Sequence, residues 1–482
     1  MPSKQTIISS LFWKFFERCG TQLIQFVLTI ILARVLAPND FGLVALVMVF
    51  IAIANVFVQS GLNTALVQKK DSDDLDFSSV FIASLSISAI LYSILFFCAP
   101  FIAHFYNNES LIPVIRVLAL TLFLGAINSV QLAYISRNML FKKLFYRSLG
   151  AMIPSGVLGV IFALIGFGVW SLVIQQLSNA FLAIVIMWFT VPWRPKLEFS
   201  FSRLKRLFSF GWKLLCSSLL DTGYNNLTGL IIGKMFSPAD LAYYNRGDHF
   251  PSFLVNNINS SIQSVMLPSL SEYQDDKEKM KRLTRRAIKT SSFVIIPLMI
   301  GLCVLAKPVI LLLLGEKWLP SVPFIQVYCF IYMFYPIHTS NLSAINAMGR
   351  SDIFLKLEIL KKIVGLSFLL GGLYLFRSPI GIAYGAICAT LINAFLNANP
   401  NKRLMNYGYF EQIKDIIPAF FIAIPMGLGV YALGSCQLPL IPSLILQVIC
   451  GILFYFSLAK LFKLESFDYL INTVKEFKNG RK

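Results

Sequence analysis

The sequence predicts an all-α polytopic membrane protein of about 14 transmembrane helices, built as two pseudo-symmetric six-helix lobes plus two C-terminal helices. Three observations lead there. The 482 residues are 57% hydrophobic and only 13% charged, where soluble domains carry roughly 25% charged residues. The apolar stretches run about 20 to 27 residues, enough to cross a hydrocarbon core of roughly 30 Å, and they lack the alternation of a membrane β-barrel. Finally, the chain is written twice. Ala33-Arg34-Val35-Leu36-Ala37-Pro38-Asn39-Asp40-Phe41 returns in type as Gly233-Lys234-Met235-Phe236-Ser237-Pro238-Ala239-Asp240-Leu241, and Trp13-Lys14 returns as Trp212-Lys213. Asn128, Arg137 and Gly168-Val169 return as Asn341, Arg350 and Gly381-Ile382. Duplicated helical halves in a bilayer imply alternating-access transport with a site between the halves.

The first span, 7–36, reads as a spanning helix rather than a cleavable signal, because Lys14, Glu17 and Arg18 interrupt it and no small-residue cleavage site follows. Spans 41–67, 78–105, 111–136, 145–166 and 168–191 complete an N-terminal lobe of residues 1–192. A cytoplasmic linker, 193–206, leads to spans 207–233, 241–269, 287–314, 320–348, 354–376 and 379–399, the C-terminal lobe of residues 207–403. Residues 404–482 hold two accessory spans, 412–434 and 440–462, and a tail. Pro, Gly, Asn and Asp punctuate the joints, as in Ala37-Pro38-Asn39-Asp40 and Ser378-Pro379. Glycines such as Gly156, Gly159, Gly381 and Gly385 are expected to allow close helix packing.

The net charge of +19 is not a nucleic-acid signature, because Lys and Arg recur at every second loop. Arg137, Lys142, Lys143 and Arg147 form one such cluster, and Arg194, Lys196, Arg203, Lys205 and Arg206 another. The opposite side holds only Arg34, Lys234, Arg246, Lys307, Lys317 and Arg377. This bias places both termini in the cytoplasm. Eight scattered cysteines and three histidines form no metal-ligand spacing, so no metal site is expected.

Segment 270–289 is the longest charged stretch; it reads either as a solvated cytoplasmic helix or as a contact for anionic lipid headgroups. The tail places Phe467, Leu470, Ile471, Val474 and Phe477 at helical spacing among lysines, as in a helix lying on the membrane surface. Segment 71–76 (DSDDLD) contains a D-x-D of the kind that holds a metal in glycosyltransferases, but its loop has no room for a nucleotide-sugar domain.

Function is expected where polar residues interrupt apolar helices, because they are costly there. Lys14, Arg18, Thr21 or Gln22, and Gln25 share one face of the first span, with Glu17 beside them. This is a cationic stripe suited to an anionic substrate in a wet cavity; the competing reading has Lys14 snorkelling to the interface. The seventh span carries Lys213, Asp221, Tyr224, Asn225 and Asn226. Asn55, Gln59, Ser60 and Asn63 line one face of the second span, and Asn256, Asn259, Ser260 and Gln263 line its repeat. Such amides suit hydroxyl-rich ligands or bind neighbouring helices. The candidate cavity residues are therefore Lys14, Arg18, Gln25, Gln59, Asn63, Lys213, Asn225, Asn259 and Gln263, with Glu17, Asp221 and Asp248 as carriers of a coupling ion.

Four strings carry a family resemblance: Leu36-Ala37-Pro38-Asn39-Asp40-Phe41-Gly42-Leu43; Leu267-Pro268-Ser269-Leu270-Ser271 with Gln274-Asp275-Asp276; Leu314-Gly315-Glu316-Lys317-Trp318-Leu319-Pro320; and Met348-Gly349-Arg350-Ser351-Asp352 leading into Lys356-Leu357-Glu358. Together they resemble the polysaccharide transporters of the multidrug/oligosaccharidyl-lipid/polysaccharide exporter superfamily, in the branch of colanic acid exporters and teichuronic acid translocases. The resemblance implies two six-helix lobes around a cavity in a bacterial inner membrane. It implies movement of undecaprenyl-pyrophosphate-linked oligosaccharide from the cytoplasmic leaflet to the periplasmic one. Lys14, Arg18 and Lys213 are its candidate pyrophosphate ligands by position. It implies no enzymatic step and no cofactor, with H+ or Na+ as candidate coupling ion; no GxxxxGK[ST] string occurs. Partners would be the lipid-linked oligosaccharide and membrane lipids, then a polysaccharide polymerase and chain-length machinery. The rival functions are a drug/cation antiporter of the same superfamily, a membrane polymerase or ligase, and a non-transporting scaffold.

Overall fold

A computed structural model describes residues 4–478 apart from 60, 70 and 437. It is helical throughout, with no strand among the described residues. The chain divides into two compact units, Met1–Ala242 and Tyr243–Lys482. Twelve helices or helix runs among the described residues are long and apolar enough to span a membrane. Two further helices, α9 (Phe201–Met235) and α10 (Pro238–Ser271), are 35 and 34 residues long but are not among those twelve. Lys213, Asp221, Asn225 and Asn226 dilute the first, and Arg246, Asp248, Asn256 and Asn259 the second. Composition alone therefore supports twelve spans, and the expected count of fourteen is met only if these two polar helices also cross.

The first unit contains α1 (Lys4–Val35), α2 (Pro38–Gln59), α3 (Leu62–Gln68), α4 (Asp74–Phe105), α5 (Leu111–Leu118), α6 (Thr121–Arg137), α7 (Phe141–Leu164), α8 (Val169–Thr190) and α9. Two expected continuous spans are broken. The span 41–67 bends at Gly61, whose φ of +84° favours glycine. A Cβ on Gly61 would lie 2.5 Å from the Gly211 carbonyl oxygen, so this joint sits directly on the α9 backbone. The span 111–136 breaks between α5 and α6. The linker is strapped to α4: the Lys196 and Ser200 amides each donate at 3.0 Å to the hydroxyls of Ser78 and Ser79.

The duplicated turns share one chemistry. Asp40 Oδ2 accepts from the Ala37 amide at 3.1 Å, and Asp240 Oδ2 accepts from the Ser237 amide at 3.0 Å. The two turns also touch. A Cβ added to Gly42 would lie 1.7 Å from the Pro238 carbonyl oxygen, and one on Gly233 would lie 2.1 Å from Leu46 Cδ2. Because overpacking costs about 1–3 kcal/mol or more, Gly42→Ala is expected to lower the yield of monodisperse protein in fluorescence-detected size exclusion. Gly223→Ala, on α9 and with nothing within 4 Å of the new Cβ, is expected to leave it unchanged or slightly raised.

The second unit continues with α11 (Lys277–Leu313), a 3-10 turn at Glu316–Ser321, α12 (Val322–Met333), α13 (Tyr335–Ala347), α14 (Ser351–Phe376), α15 (Pro379–Met405), α16 (Tyr409–Gly434), α17 (Leu440–Leu461) and α18 (Glu465–Lys478). The charged segment 270–289 is mostly helix, with Asp276 capping α11 through the Lys279 amide at 3.0 Å. Part of its positive charge is neutralised internally: Lys281 meets Glu411 at 3.0 Å, Arg285 meets Asp415 at 2.7 Å and Lys289 meets Glu465 at 2.7 Å. Lys289 thereby holds the Glu465 carboxyl below its ordinary value. The tail helix α18 docks on this cluster, with Phe467 6.3 Å from Phe293 and 5.9 Å from Phe456. Gly372, Gly381 and Gly385 do close α14 onto α15: a Cβ at Gly385 would lie 2.2 Å from the Phe368 carbonyl oxygen. Asn341, Gln412 and Asn401 form a fully buried amide knot, with bonds of 2.6 to 2.9 Å between side chains.

Candidate functional site

Helix α1 packs chiefly against α7, and the two run parallel. Ser10 Oγ donates to the Met139 carbonyl at 3.1 Å, Ser148 Oγ donates to Glu17 Oε1 at 2.8 Å, and Leu28 fills the space left by Gly156. The cationic stripe lies within the apolar span Phe12–Val35. Lys14 is exposed, its Nζ 5.4 Å from the centre of the Phe141 ring. Arg18 and Gln25 are exposed, and the Arg18 side chain makes no hydrogen bond or ion pair among the described residues. Thr21 is occupied, donating at 2.7 Å to the Glu17 carbonyl.

The same unit holds the candidates of α2, α3 and α9. Lys213, Asp221 and Asn225 are all exposed on α9. Asn226 is turned back, donating to the Thr222 carbonyl at 2.8 Å. The amides at the Gly61 joint bond along the chain: Gln59 Nε2 reaches Asn55 Oδ1 at 3.3 Å, and Asn63 Nδ2 reaches the Gln59 carbonyl at 3.0 Å. Gln59 remains exposed, while Asn63 Oδ1 is buried without a partner. Ser60 lies outside the described residues.

In the second unit, Asn259 is buried and Gln263 exposed, so their environments differ from those of their repeats Gln59 and Asn63. Asp248 is half-buried and accepts from the Tyr332 hydroxyl at 2.9 Å. Tyr328 and Tyr335 flank Tyr332 at 6.3 and 5.4 Å between ring centres. A separate cavity of about 610 Å³ opens between α16 and α17. Its wall is apolar apart from Ser457 and Cys450, and Gly429 and Gly451 leave it room.

Sequence reasoning missed three features. The tyrosines around Asp248 needed the fold to bring α12 and α13 onto α10. The α16–α17 cavity left only its glycines as a trace. Arg147 was counted with a cytoplasmic loop, yet it lies nearly two turns into α7, with its Nε buried and without a hydrogen-bond partner among the described residues. The DSDDLD segment is a helix start: Asp73 and Asp76 form a reciprocal capping box on α4. Arg203 and the Asp76 amide hold the Asp73 carboxyl below its ordinary value.

The profile of the polysaccharide biosynthesis protein family matches residues 31–323. The chain is 23% identical to the succinoglycan biosynthesis transport protein ExoT of Rhizobium meliloti, over 81% of this chain and 77% of that protein. It is also 23% identical to the lipopolysaccharide biosynthesis protein WzxC of Escherichia coli, over 84% of this chain and 82% of that one. Among solved structures, the lipid II flippase MurJ in an inward closed conformation superposes with a TM-score of 0.75 at 16% identity, covering 94% of this chain and 98% of that one. That likeness establishes the fold. With its profile running through well over half of the sequence, the family expected from the four motifs is the one to which this chain belongs: the polysaccharide biosynthesis proteins.

Proposed function

We propose that the chain translocates an undecaprenyl-pyrophosphate-linked oligosaccharide across the bacterial inner membrane by alternating access, with both termini in the cytoplasm. The observation that carries this reading is Arg18, a cation whose side chain has no partner among the described residues, inside the apolar span Phe12–Val35. A charge left there without a counterion is costly unless water or a ligand receives it. A pyrophosphate is such a ligand, since ionised donors and acceptors make strong, short hydrogen bonds. Lys14, Lys213, Asn225 and Gln25, exposed on α1 and α9, would add charge for the headgroup and amides for the sugar. The apolar α16–α17 cavity suits the polyprenyl chain. Relatives named for succinoglycan transport and lipopolysaccharide biosynthesis support the same substrate class.

The repeated halves, residues 1–192 and 207–403, would be the alternating lobes and residues 404–482 an accessory segment. H+ or Na+ would couple the cycle through Asp248, Glu17 or Asp221; of these, Asp248 has the enclosed, hydroxyl-lined setting that favours an exchangeable ion. The product would pass to a polysaccharide polymerase and its chain-length machinery. No bond is made or broken in this scheme. Reconstitution tests it: vesicles containing the purified chain and a fluorescent polyprenyl-pyrophosphate oligosaccharide should expose inner-leaflet label to an impermeant quencher. Label as well protected as in protein-free vesicles would reject the reading.

A further inference from the structure

The tail helix α18 closes a charge zipper that is firm at one end and loose at the other. Lys281, Arg285 and Lys289, at four-residue spacing on α11, pair with Glu411 and Asp415 of α16 and Glu465 of α18. Neighbouring pairs are linked, with Arg285 3.9 Å from Glu411 and Lys289 3.7 Å from Asp415. The inner end is anchored. The Asp415 side chain is 4% exposed and accepts from the buried Tyr407 hydroxyl at 2.9 Å. The Tyr407 carbonyl in turn accepts at 3.2 Å from Gln412 of the amide knot. At the outer end the Glu465 side chain is 79% exposed.

Breaking a buried pair is costly, whereas an exposed pair is weak and screened by salt. The remaining hold on α18 is small. Phe467 touches Phe293 and Phe456, and Arg286 lies 4.8 Å from the centre of the Tyr469 ring. A permanently fixed terminal helix is the ordinary alternative, but it would bury its docking side chains, and Glu465 and Tyr469 are both exposed. Residues 462–464 alone join α18 to α17, with Lys463 in the left-handed region at φ +48°. The helix also carries a second chemistry. Phe467, Leu470 and Ile471 with Lys475 and Lys478 suit a helix lying on an anionic membrane surface. Anionic headgroups there would also compete for Lys289 and Arg286, the cations that hold the helix down.

We propose that α18 is a releasable latch on the second unit, docked on α11 beside a neutral bilayer and drawn onto the bilayer surface when that leaflet is anionic. Docked, it joins Phe293 of α11 to Phe456 of α17 and so braces α17, one wall of the α16–α17 cavity. Released, it removes that brace and leaves the Tyr407–Asp415 anchor and the amide knot in place.

The test is photo-crosslinking of the full chain carrying Tyr469→p-benzoylphenylalanine in nanodiscs, with the linked partner identified by mass spectrometry. In phosphatidylcholine the link is expected to fall on α11. Glu465→Gln should lower its yield about two- to fivefold, and Phe467→Ala about tenfold. Asp468→Asn removes the same charge from the same helix where no ion pair exists among the described residues, and should leave the yield unchanged. Replacing part of the phosphatidylcholine by phosphatidylglycerol should move the link from α11 to lipid. A link on α11 that phosphatidylglycerol does not alter makes α18 a fixed brace and overturns the proposal. A link to lipid in both membranes overturns the docked state. Should Phe467→Ala fail to fold, the phosphatidylglycerol shift in the chain labelled at 469 alone still decides. None of these readouts involves transport, so they stand or fall separately from the flippase reading.

Discussion

Asp76→Ala is expected to destabilise the first unit by about 3–5 kcal/mol, the range for removing one partner of a buried ion pair. Asp76 is fully buried, pairs with Lys69 at 2.5 Å and lies 3.6 Å from Arg203. Its carboxylate also accepts from the Asp73 amide at 3.2 Å, completing the cap of α4. Alanine leaves Lys69 and Arg203 without that partner and the first turn of α4 without half its cap. Its neighbour two residues earlier provides the contrast. Asp74 pairs with Lys196 at 3.2 Å, but both side chains are more than half exposed, so Asp74→Ala should cost under about 1 kcal/mol. Thermal unfolding of the two variants in one detergent checks this; equal shifts would contradict it. Acid should act through Asp73 as well. Its lowered carboxyl value means that its contribution is complete above pH 3.8, the ordinary value, and is lost as pH falls through the lowered one. Across neutral pH it should be flat.

The DSDDLD segment shows what one-dimensional reading reaches. Its acidic spacing is visible in sequence, but whether such a cluster holds a metal or caps a helix depends on Lys69, Arg203 and the start of α4, which only folding assembles. The duplicated Pro-x-Asp turns were legible because their chemistry is local: an aspartate bonding an amide three residues back needs no tertiary context. The helix inventory was legible for the same reason wherever apolar length decides it. It fell short at α9 and α10, where polar residues set hydropathy against length. The break at Gly61 was hidden because glycine within an apolar run reads as helix until the Gly211 backbone is seen against it. Of the candidate site, the stripe on α1 was readable from its spacing, whereas Arg147, although inside the expected span 145–166, was grouped with the loop cations Arg137, Lys142 and Lys143. That Asn259 is buried and Gln59 exposed could not follow from their equal places in the repeat, since burial belongs to each helix's neighbours.

Arg18→Gln combined with Lys213→Gln is expected to reduce translocation by at least about a hundredfold, since each charged hydrogen bond to the headgroup contributes about 1.5–3 kcal/mol. Both positions are exposed, and the Arg18 side chain has no partner among the described residues, so replacing it leaves no buried charge behind and should spare the fold. Glutamine keeps the polar stem and removes only the charge. Wild-type elution in size exclusion, with transport lost, would therefore locate the effect in substrate handling. The decisive measurement is the vesicle translocation assay on this double variant, at wild-type protein levels. Loss of protein-dependent exposure of the pyrophosphate-linked oligosaccharide is the predicted result, and translocation at the wild-type rate would contradict a cationic headgroup site on α1 and α9.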